Sequence, residues 1–380
     1  MIPVRTMFAL FALAGCAARP AEVRVGFDAA RETSVRERGL ADRVTGRRAN
    51  ADSPVRIASI SKLVVALGVM RLVEAGKLDL DADVSERLGW RLRNPAHPSA
   101  PITLRLLLSH RSSLTDYADY AIPLGDTLRA RVADARAWDA AHPPGAFFRY
   151  ANLNFPVIAS VMERATGERF DALMARLVLR PLKLDACFNW TTCGDAAIAR
   201  AVVLYCADGS VANDDLRGRR PDCPVNTIGG CDLAAYRLGE NGALFSPQGG
   251  LRVSMRDLAA IGRMLLNRGA GFLAPASIAE IERVGWTFDG ANGDTSDGFY
   301  CAYGLATHTL ATPREGCADD PFEDRRARVG HAGEAYGVRS GLWLDRARGT
   351  GVAFFTTAVA DGSKGISAFS REEERIVRER

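Results

Sequence analysis

Apolar residues follow helical spacing through the middle of the chain, whereas both ends carry patterns typical of strands. Residues 59–75 are predicted to form a helix, which Gly76 ends, and its residues 63–70 are apolar on nearly every face. This helix is therefore expected to lie buried at the centre of the protein. Helical spacing, interrupted by Pro and Gly, also predicts helices within residues 103–113, 128–140, 155–166, 168–179 and 254–267.

The ends of the chain are predicted to form strands, as a hairpin within 22–48 and as strands at 300–307, 326–331, 338–345 and 350–357. Neither set makes a sufficient sheet alone. We therefore expect an α/β fold of the α+β type, with one antiparallel sheet from both chain ends and an inserted all-helical lobe. A cleft between two lobes is a favoured place for a substrate. The charged residues after Ser370 predict an exposed helix.

The chain has 380 residues and a net charge of +4, spread along its length without a basic run. The sequence therefore shows no cluster of positive charge of the kind that binds a nucleic-acid backbone. We expect a single catalytic domain over residues 22–370, followed by a charged tail at 371–380. Its expected parts are a sheet lobe at 22–58 and 240–370, a helical lobe at 59–200, and a cysteine-containing insertion at 201–240.

The first residues have the features of an export signal. Arg5 precedes an apolar stretch too short to span a bilayer, and residues 13–16 are Leu-Ala-Gly-Cys. This ending resembles a bacterial lipoprotein signal, which implies removal of residues 1–15, a lipid on Cys16 and a tether over 16–21. An ordinary signal peptide is the alternative. With Ala17 next, the resemblance implies an exported protein at the periplasmic face, lipid-anchored to the outer membrane of a Gram-negative bacterium.

Seven cysteines follow Cys16, as suits an oxidising compartment. Their spacing suggests three local pairs and leaves Cys206 over: Cys187–Cys193, Cys223–Cys231 and Cys301–Cys317. A metal site is the competing idea, but the sequence has no CxxC or HExxH motif and its five histidines are scattered. We expect neither a metal nor another cofactor.

Ser59 and Lys62 form the first motif with candidate chemistry, because three residues of spacing place them on one helix face. A serine hydroxyl needs a nearby base, and a lysine buried by the apolar helix would have a lowered pKa and could serve. Lysine is rare among the 49 cationic residues, and a retained lysine suits a site that must lose a proton. The S-x-x-K spacing alone also arises by chance.

Two further pairs follow along the chain, Tyr150 with Asn152 and His331 with Gly333. A phenol acts as a general base only when its pKa falls, which a neighbouring Lys⁺ would cause. An amide both donates to and accepts from a substrate peptide bond. His331 could donate a hydrogen bond to an anionic substrate group, and Gly333 would let a substrate backbone approach the strand edge. Each pair alone also has an ordinary structural explanation.

Taken in order, Ser-x-x-Lys, Tyr-x-Asn and His-x-Gly resemble the serine β-lactamase and penicillin-binding-protein superfamily. Tyr-x-Asn resembles the branch of class C β-lactamases, D-alanyl-D-alanine carboxypeptidases and esterases. The resemblance runs from about residue 35 to 357 and includes residues 106–110, 180–182 and 249–251. It implies a β-lactamase/transpeptidase-like fold.

The resemblance also implies a role for each motif residue. Ser59 would be the acylated nucleophile, and Lys62 would accept or relay its proton and keep Tyr150 anionic. Tyr150 would be the general base for the deacylating water, and Asn152 would position the substrate amide. His331 would hold a substrate carboxylate or a hydrogen bond.

The implied oxyanion hole consists of the backbone N–H groups of Ser59 and Glu334. Two departures from the family pattern matter. His331 stands where classical β-lactamases have Lys, and neutral imidazole is a weaker anchor for a carboxylate, which puts antibiotic hydrolysis in doubt. Residues 201–240 match nothing general to the family. We expect a stapled surface insertion there; the alternative is a segment that lines the cleft and sets specificity.

The leading function is thus an exported serine hydrolase acting on D-alanyl peptides derived from peptidoglycan or on related small amides or esters. A β-lactamase and a promiscuous carboxylesterase are the alternatives. A non-catalytic wall-binding lipoprotein is another, which the retention of all three motifs disfavours. The sequence leaves open whether Lys62 or Tyr150 is the base in acylation, because the two titrate as a coupled pair.

Overall fold

A computed structural model describes residues 20–205, 210–212 and 219–379 of the protein. Its strands are β1 (Glu22–Asp28), β2 (Glu32–Arg38), β3 (Leu40–Asp42), β4 (Arg47–Arg48), β5 (Val55–Arg56), β6 (Cys187–Phe188), β7 (Leu251–Val253), β8 (Trp286–Thr287), β9 (Ala302–Tyr303), β10 (His308–Thr309), β11 (Val329–Ala335), β12 (Val338–Asp345) and β13 (Thr350–Thr356). Its helices are α1 (Ser61–Glu74), α2 (Ser85–Leu88), α3 (Leu104–Leu108), α4 (Leu128–Val132), α5 (Asn154–Thr166), α6 (Phe170–Met174), α7 (Asp195–Arg200), α8 (Met255–Leu266), α9 (Pro275–Glu282) and α10 (Arg371–Arg378). The predicted signal at 1–15, Cys16 and Cys206 lie outside the described residues.

Both ends of the chain join one antiparallel sheet of eight strands, in the order β2-β1-β13-β12-β11-β10-β9-β8. Strand β1 joins the two ends of the chain in this sheet, because it pairs with β2 on one side and with β13 on the other. Helix α8 packs on β1, β12 and β13, and Gly262 on that helix makes room for Phe27, since a Cβ there would lie 2.2 Å from the Phe27 ring. The predicted two-lobed fold with a sheet from both ends is confirmed.

The prediction that the tail helix α10 is exposed is wrong. Ile376 and Val377 are buried against the face of the sheet opposite α8, in a cluster with Trp343 and Phe354. The charges that suggested exposure are neutralised locally, because the Arg378 guanidinium forms an ion pair with buried Glu374. The helix therefore closes the second face of the sheet.

Helix α1 is the central buried helix expected from the sequence. All of its residues from Ser61 to Met70 are buried, as is Leu72. Ser59 itself lies two residues before the start of α1, in a short 3-10 segment over Ala58–Ile60. The nucleophile candidate thus sits at the junction where the sheet lobe passes into the helical lobe.

Several other elements differ in extent from their predictions. The strand expected at 300–307 shrinks to β9, since a turn follows in which Gly304 N–H donates to the Thr307 carbonyl. Helices expected at 103–113 and 128–140 are reduced to α3 and α4, while α2, α7 and α9 were not predicted. The three expected disulfides are present: Cys187–Cys193, Cys223–Cys231 and Cys301–Cys317. Across the described ranges, no helix combines the length and apolar character needed to cross a membrane.

Candidate active site

The backbone just before Ser59 is fixed by the sheet. The Ile57 carbonyl accepts a hydrogen bond of 2.9 Å from the Ser340 hydroxyl on β12, and a Cβ on Gly333 of β11 would lie 2.2 Å from that same carbonyl oxygen. Gly333 is therefore a glycine because the nucleophile segment passes against it. Its expected role in the close approach of a substrate backbone stays a prediction.

Ala58 holds a strained conformation immediately before the nucleophile. Its φ of 47° lies in the left-handed region, which disfavours a residue with a side chain. Such a residue costs about 1–3 kcal/mol and persists only where its surroundings hold it. Strain of this kind is typical of functional sites, and here it turns Ser59 toward the cleft between the lobes.

Lys62 lies on the first turn of α1 and is completely buried. Its Nζ donates to Ser59 Oγ at 2.9 Å, to Asn152 Oδ1 at 2.8 Å and to the Gln248 carbonyl at 2.8 Å. Burial lowers the pKa of Lys62 to about 7, although the Asp116 carboxylate opposes this shift. A neutral Lys62 can keep two of these hydrogen bonds and turn its lone pair to the serine proton, which is the geometry of a general base.

Tyr150 is held as a stacked ring between His110, at a centroid distance of 4.2 Å, and Tyr300, at 4.6 Å. Its hydroxyl oxygen is buried close to the hydroxyls of Ser59 and Tyr300. Burial raises the pKa of Tyr150, and the nearby Ser59 and Tyr300 hydroxyls lower it by less. The expectation that Lys62 keeps this phenol anionic is therefore wrong for the free site, where Tyr150 is neutral.

Asn152 is oriented by Asp116, a residue that the motif analysis missed. The Asp116 carboxylate accepts 2.9 Å hydrogen bonds from the backbone N–H and the side-chain Nδ2 of Asn152, and a third from the Leu153 N–H. His110, also missed as a functional residue, accepts from the Ala151 N–H at 3.1 Å through Nδ1. His110 falls within residues 106–110, which carry part of the family resemblance, whereas no motif marks Asp116.

His331 is buried behind the site and does not line the cleft. Its Nε2 accepts from the Tyr303 hydroxyl at 2.8 Å, and its Nδ1 faces the Ala332 carbonyl at 2.5 Å. Burial lowers the pKa of His331 to about 3, with a smaller contribution from Lys62, so the ring is neutral. This geometry disfavours the expected role as anchor for a substrate carboxylate, because both ring nitrogens already face protein groups and the ring is not part of the cleft lining.

The cleft between the lobes has a volume of about 460 Å³. Its lining includes Ser59 and Asn152, Glu334 near the end of β11, and Tyr336 in the turn that follows this strand. Ser59 and Glu334 thus both face the cleft, and their backbone N–H groups remain the predicted oxyanion donors. Within the described ranges, no group of three or more His, Cys, Asp or Glu side chains could hold a metal.

One wall of the cleft comes from residues 219–231, which we call the disulfide wall. Five of its residues line the cleft: Pro221, Cys223, Pro224, Val225 and Asn226. The Asn226 carbonyl accepts from the Leu124 N–H at 2.7 Å, and Arg220 donates to the carbonyl of Trp190 at 3.1 Å. The expectation of a purely surface insertion is therefore wrong for this segment, which spans two cleft-lining loops.

Comparison with known proteins matches this arrangement. Residues 21–373 match the family model described as Beta-lactamase. Esterase EstB from Burkholderia gladioli is 31% identical over 353 residues, which span 87% of this chain and 84% of that protein. The D-alanyl-D-alanine-carboxypeptidase/endopeptidase AmpH from Escherichia coli K12 is 29% identical over 140 residues, or 36% of each protein.

Solved structures share the fold. The D-amino acid amidase from Ochrobactrum anthropi SV3 aligns with a TM-score of 0.68 at 19% identity, covering 95% of this chain and 92% of that one. The octameric penicillin-binding protein homologue from Pyrococcus abyssi aligns with a TM-score of 0.67 at 19% identity, covering 89% and 70%. The sheet and the helical lobe described above are thus a known architecture.

Proposed function

Because the chain belongs to the beta-lactamase family, we propose that it is a serine hydrolase that forms an acyl-enzyme on Ser59. The observation that carries the proposal is the 2.9 Å hydrogen bond between a fully buried Lys62 and the Ser59 hydroxyl at the floor of an open cleft. A nucleophile and a base in such contact are the minimal machinery of covalent catalysis.

In acylation, neutral Lys62 takes the Ser59 proton while Oγ bonds to the substrate carbonyl carbon. The bond to the leaving group then breaks, and the leaving group departs with a proton, delivered from Lys62 directly or through the phenol of Tyr150. Neutral Tyr150 suits a relay, since its hydroxyl is buried near Ser59. Water then attacks the ester, and protons return along the same path to restore Ser59 and release the acid.

The substrates we propose are small esters and amides, with D-alanyl peptides of the cell wall among them. Support comes from the relatives, since EstB is named an esterase and AmpH a carboxypeptidase/endopeptidase. The buried, neutral His331 offers no cationic anchor, which disfavours hydrolysis of β-lactam antibiotics as the main activity. A non-catalytic protein would have no need to keep Lys62 buried against Ser59.

We further propose export and a lipid anchor on Cys16. The signal-like residues 1–16 support this, as do three disulfides, which persist in oxidising compartments. The test is fractionation of cells expressing the full chain and its Cys16→Ser variant. We expect the wild type in the membrane fraction and the variant outside it; equal distribution of the two would contradict the anchor.

Turnover of a p-nitrophenyl ester tests the hydrolase proposal. We expect the Ser59→Ala variant to lose hydrolysis and the Ser61→Ala variant to keep it. Ser61 is a matched control, because it lies two residues after Ser59 and its hydroxyl accepts a hydrogen bond from the Leu251 N–H at 3.1 Å. Full activity in Ser59→Ala would reject the proposed nucleophile.

A further inference from the structure

We propose that Asp116 is a positioning residue, which fixes the side chain of Asn152 and through it the base Lys62. The inference rests on the proposed acyl-enzyme chemistry. Asp116 does not itself line the cleft and reaches it only through Asn152, so its action on the reaction is indirect. No sequence motif marks it.

The contacts of Asn152 leave its amide a single orientation. A carboxylate only accepts hydrogen bonds and an ammonium only donates them. Nδ2 therefore faces Asp116 at 2.9 Å, and Oδ1 faces Lys62 Nζ at 2.8 Å. If the amide flipped, Oδ1 would meet the acceptor Asp116 and that hydrogen bond would be lost, and a protonated Lys62 would lose its acceptor as well.

This orientation sets what Asn152 can offer a substrate. Its Oδ1 is engaged by Lys62, and one of its two Nδ2 hydrogens is engaged by Asp116. The remaining N–H is a donor beside Ser59 in the cleft. A substrate group at this position must therefore be an acceptor oxygen, such as the carbonyl of an amide next to the scissile bond, and not an N–H.

Asp116 is itself held in place, as a positioning residue must be. The preceding Thr115 donates through its backbone N–H to the Ala137 carbonyl at 2.9 Å and through its hydroxyl to the Arg136 carbonyl at 2.6 Å. The carbonyl of Asp116 accepts from the Asp119 N–H at 2.9 Å. The carboxylate thus stands on a turn anchored to a separate segment of the helical lobe.

Asp116 also acts on Lys62 through its charge. Its carboxylate raises the pKa of Lys62, against the larger effect of burial. The titratable groups around Lys62 are Tyr150, His110 and His331; burial keeps Tyr150 neutral, and it lowers the pKa of both histidines. Asp116 is therefore the negative charge that favours the protonated lysine, and its loss would favour the neutral base at lower pH.

The test is the pH profile of kcat/KM for a p-nitrophenyl ester in three full-chain variants. Asp116→Asn removes the charge and at least one acceptor. Asp116→Glu keeps the charge but displaces it by a methylene group. Asp185→Asn is the matched control, because the Asp185 carboxylate is paired to Arg200 at the surface and takes no part in the contacts of Asp116.

For Asp116→Asn we expect the high-pH plateau of kcat/KM to be at least ~10-fold lower than in the wild type, since a charge-assisted hydrogen bond is lost. We also expect the acidic limb of the profile, where kcat/KM rises with pH, to move to lower pH by about 0.5 unit or more, because the negative charge that favours protonated Lys62 is gone. A merely structural role would lower the plateau without moving the limb. Asp116→Glu is expected to lower the plateau with the limb in place, and it decides the matter if Asp116→Asn does not fold. Asp185→Asn should match the wild type.

Two results would overturn the inference: an unmoved limb in Asp116→Asn, or a wild-type plateau in Asp116→Glu. Both presuppose a wild type that hydrolyses the ester through Ser59. If ester hydrolysis did not depend on Ser59, the proposed function and this inference would both fail. If hydrolysis depends on Ser59 but either of the two results above is found, only the inference fails.

Discussion

Lys62 faces the ring of Tyr150 and not its hydroxyl, with Nζ 4.9 Å from the ring centroid. A cation over an aromatic face is stabilised without any transfer of a proton. The pair therefore does not act as an ammonium–phenolate couple in the free site. Lys62, with a pKa lowered to about 7, is the group that can change its charge near neutral pH.

The pH dependence of hydrolysis should follow from that value. Because the base form of Lys62 appears as the pH rises through about 7, kcat/KM for an ester should be low at pH 5 and reach a plateau above pH 8. His331 should add no limb in this range, since its pKa lies near 3. A rate that rises only above pH 9 would indicate Tyr150 as the base.

Removal of the lysine tests its role against its neighbours. We expect Lys62→Met to lower the acylation rate by about 10²–10⁴-fold, the range for loss of a general base. Lys77→Met is the control, since Lys77 is exposed just beyond the end of α1 and should retain full activity. Stopped-flow release of p-nitrophenol measures both. Equal rates in the two variants would remove Lys62 from the mechanism.

Replacement of His331 should affect substrates with and without a carboxylate equally. Because the ring is buried and bonded to Tyr303, a His331→Asn variant is expected to change kcat/KM by the same factor for esters with and without a free carboxylate. Paired substrates that differ only in this group provide the measurement. A loss confined to the carboxylate substrate would restore the role expected from the motif.

The disulfide wall should govern the size of the accepted acyl group. Opening it with the double variant Cys223→Ser, Cys231→Ser frees a segment that lines the cleft. We expect the ratio of kcat/KM for a bulky acyl ester to that for an acetyl ester to rise about 10-fold, as for a relaxed apolar pocket. The acetyl ester is the internal control for intact chemistry. An unchanged ratio of the two kcat/KM values would contradict a role in specificity and would favour the alternative of a surface insertion.

Much of the fold could be predicted because its signals are local. The apolar residues of α1 and the alternating strands at the ends follow from the sequence, and so do the three short-range disulfides. The tail helix α10 could not be placed, because its charges predict solvent exposure. Only the folded partners, such as Arg378 for Glu374, make its burial favourable.

The site was predictable in position but not in detail. Ser59 and Lys62 meet as their helical spacing requires. His331 arrives at the right strand, yet a motif cannot tell which way its ring points, and the ring points to Tyr303. Asp116 gives no signal at all, because a single aspartate in a polar loop gains its meaning only from Asn152, brought against it by the fold.

The most direct test of the central claim is intact-mass analysis with peptide mapping after incubation with a slowly deacylating ester or a penicillin. We predict a mass increase of one acyl group on the wild type, mapped to Ser59, and its absence from Ser59→Ala. No adduct on the wild type under conditions of measurable turnover, or an adduct that survives Ser59→Ala, would contradict the account.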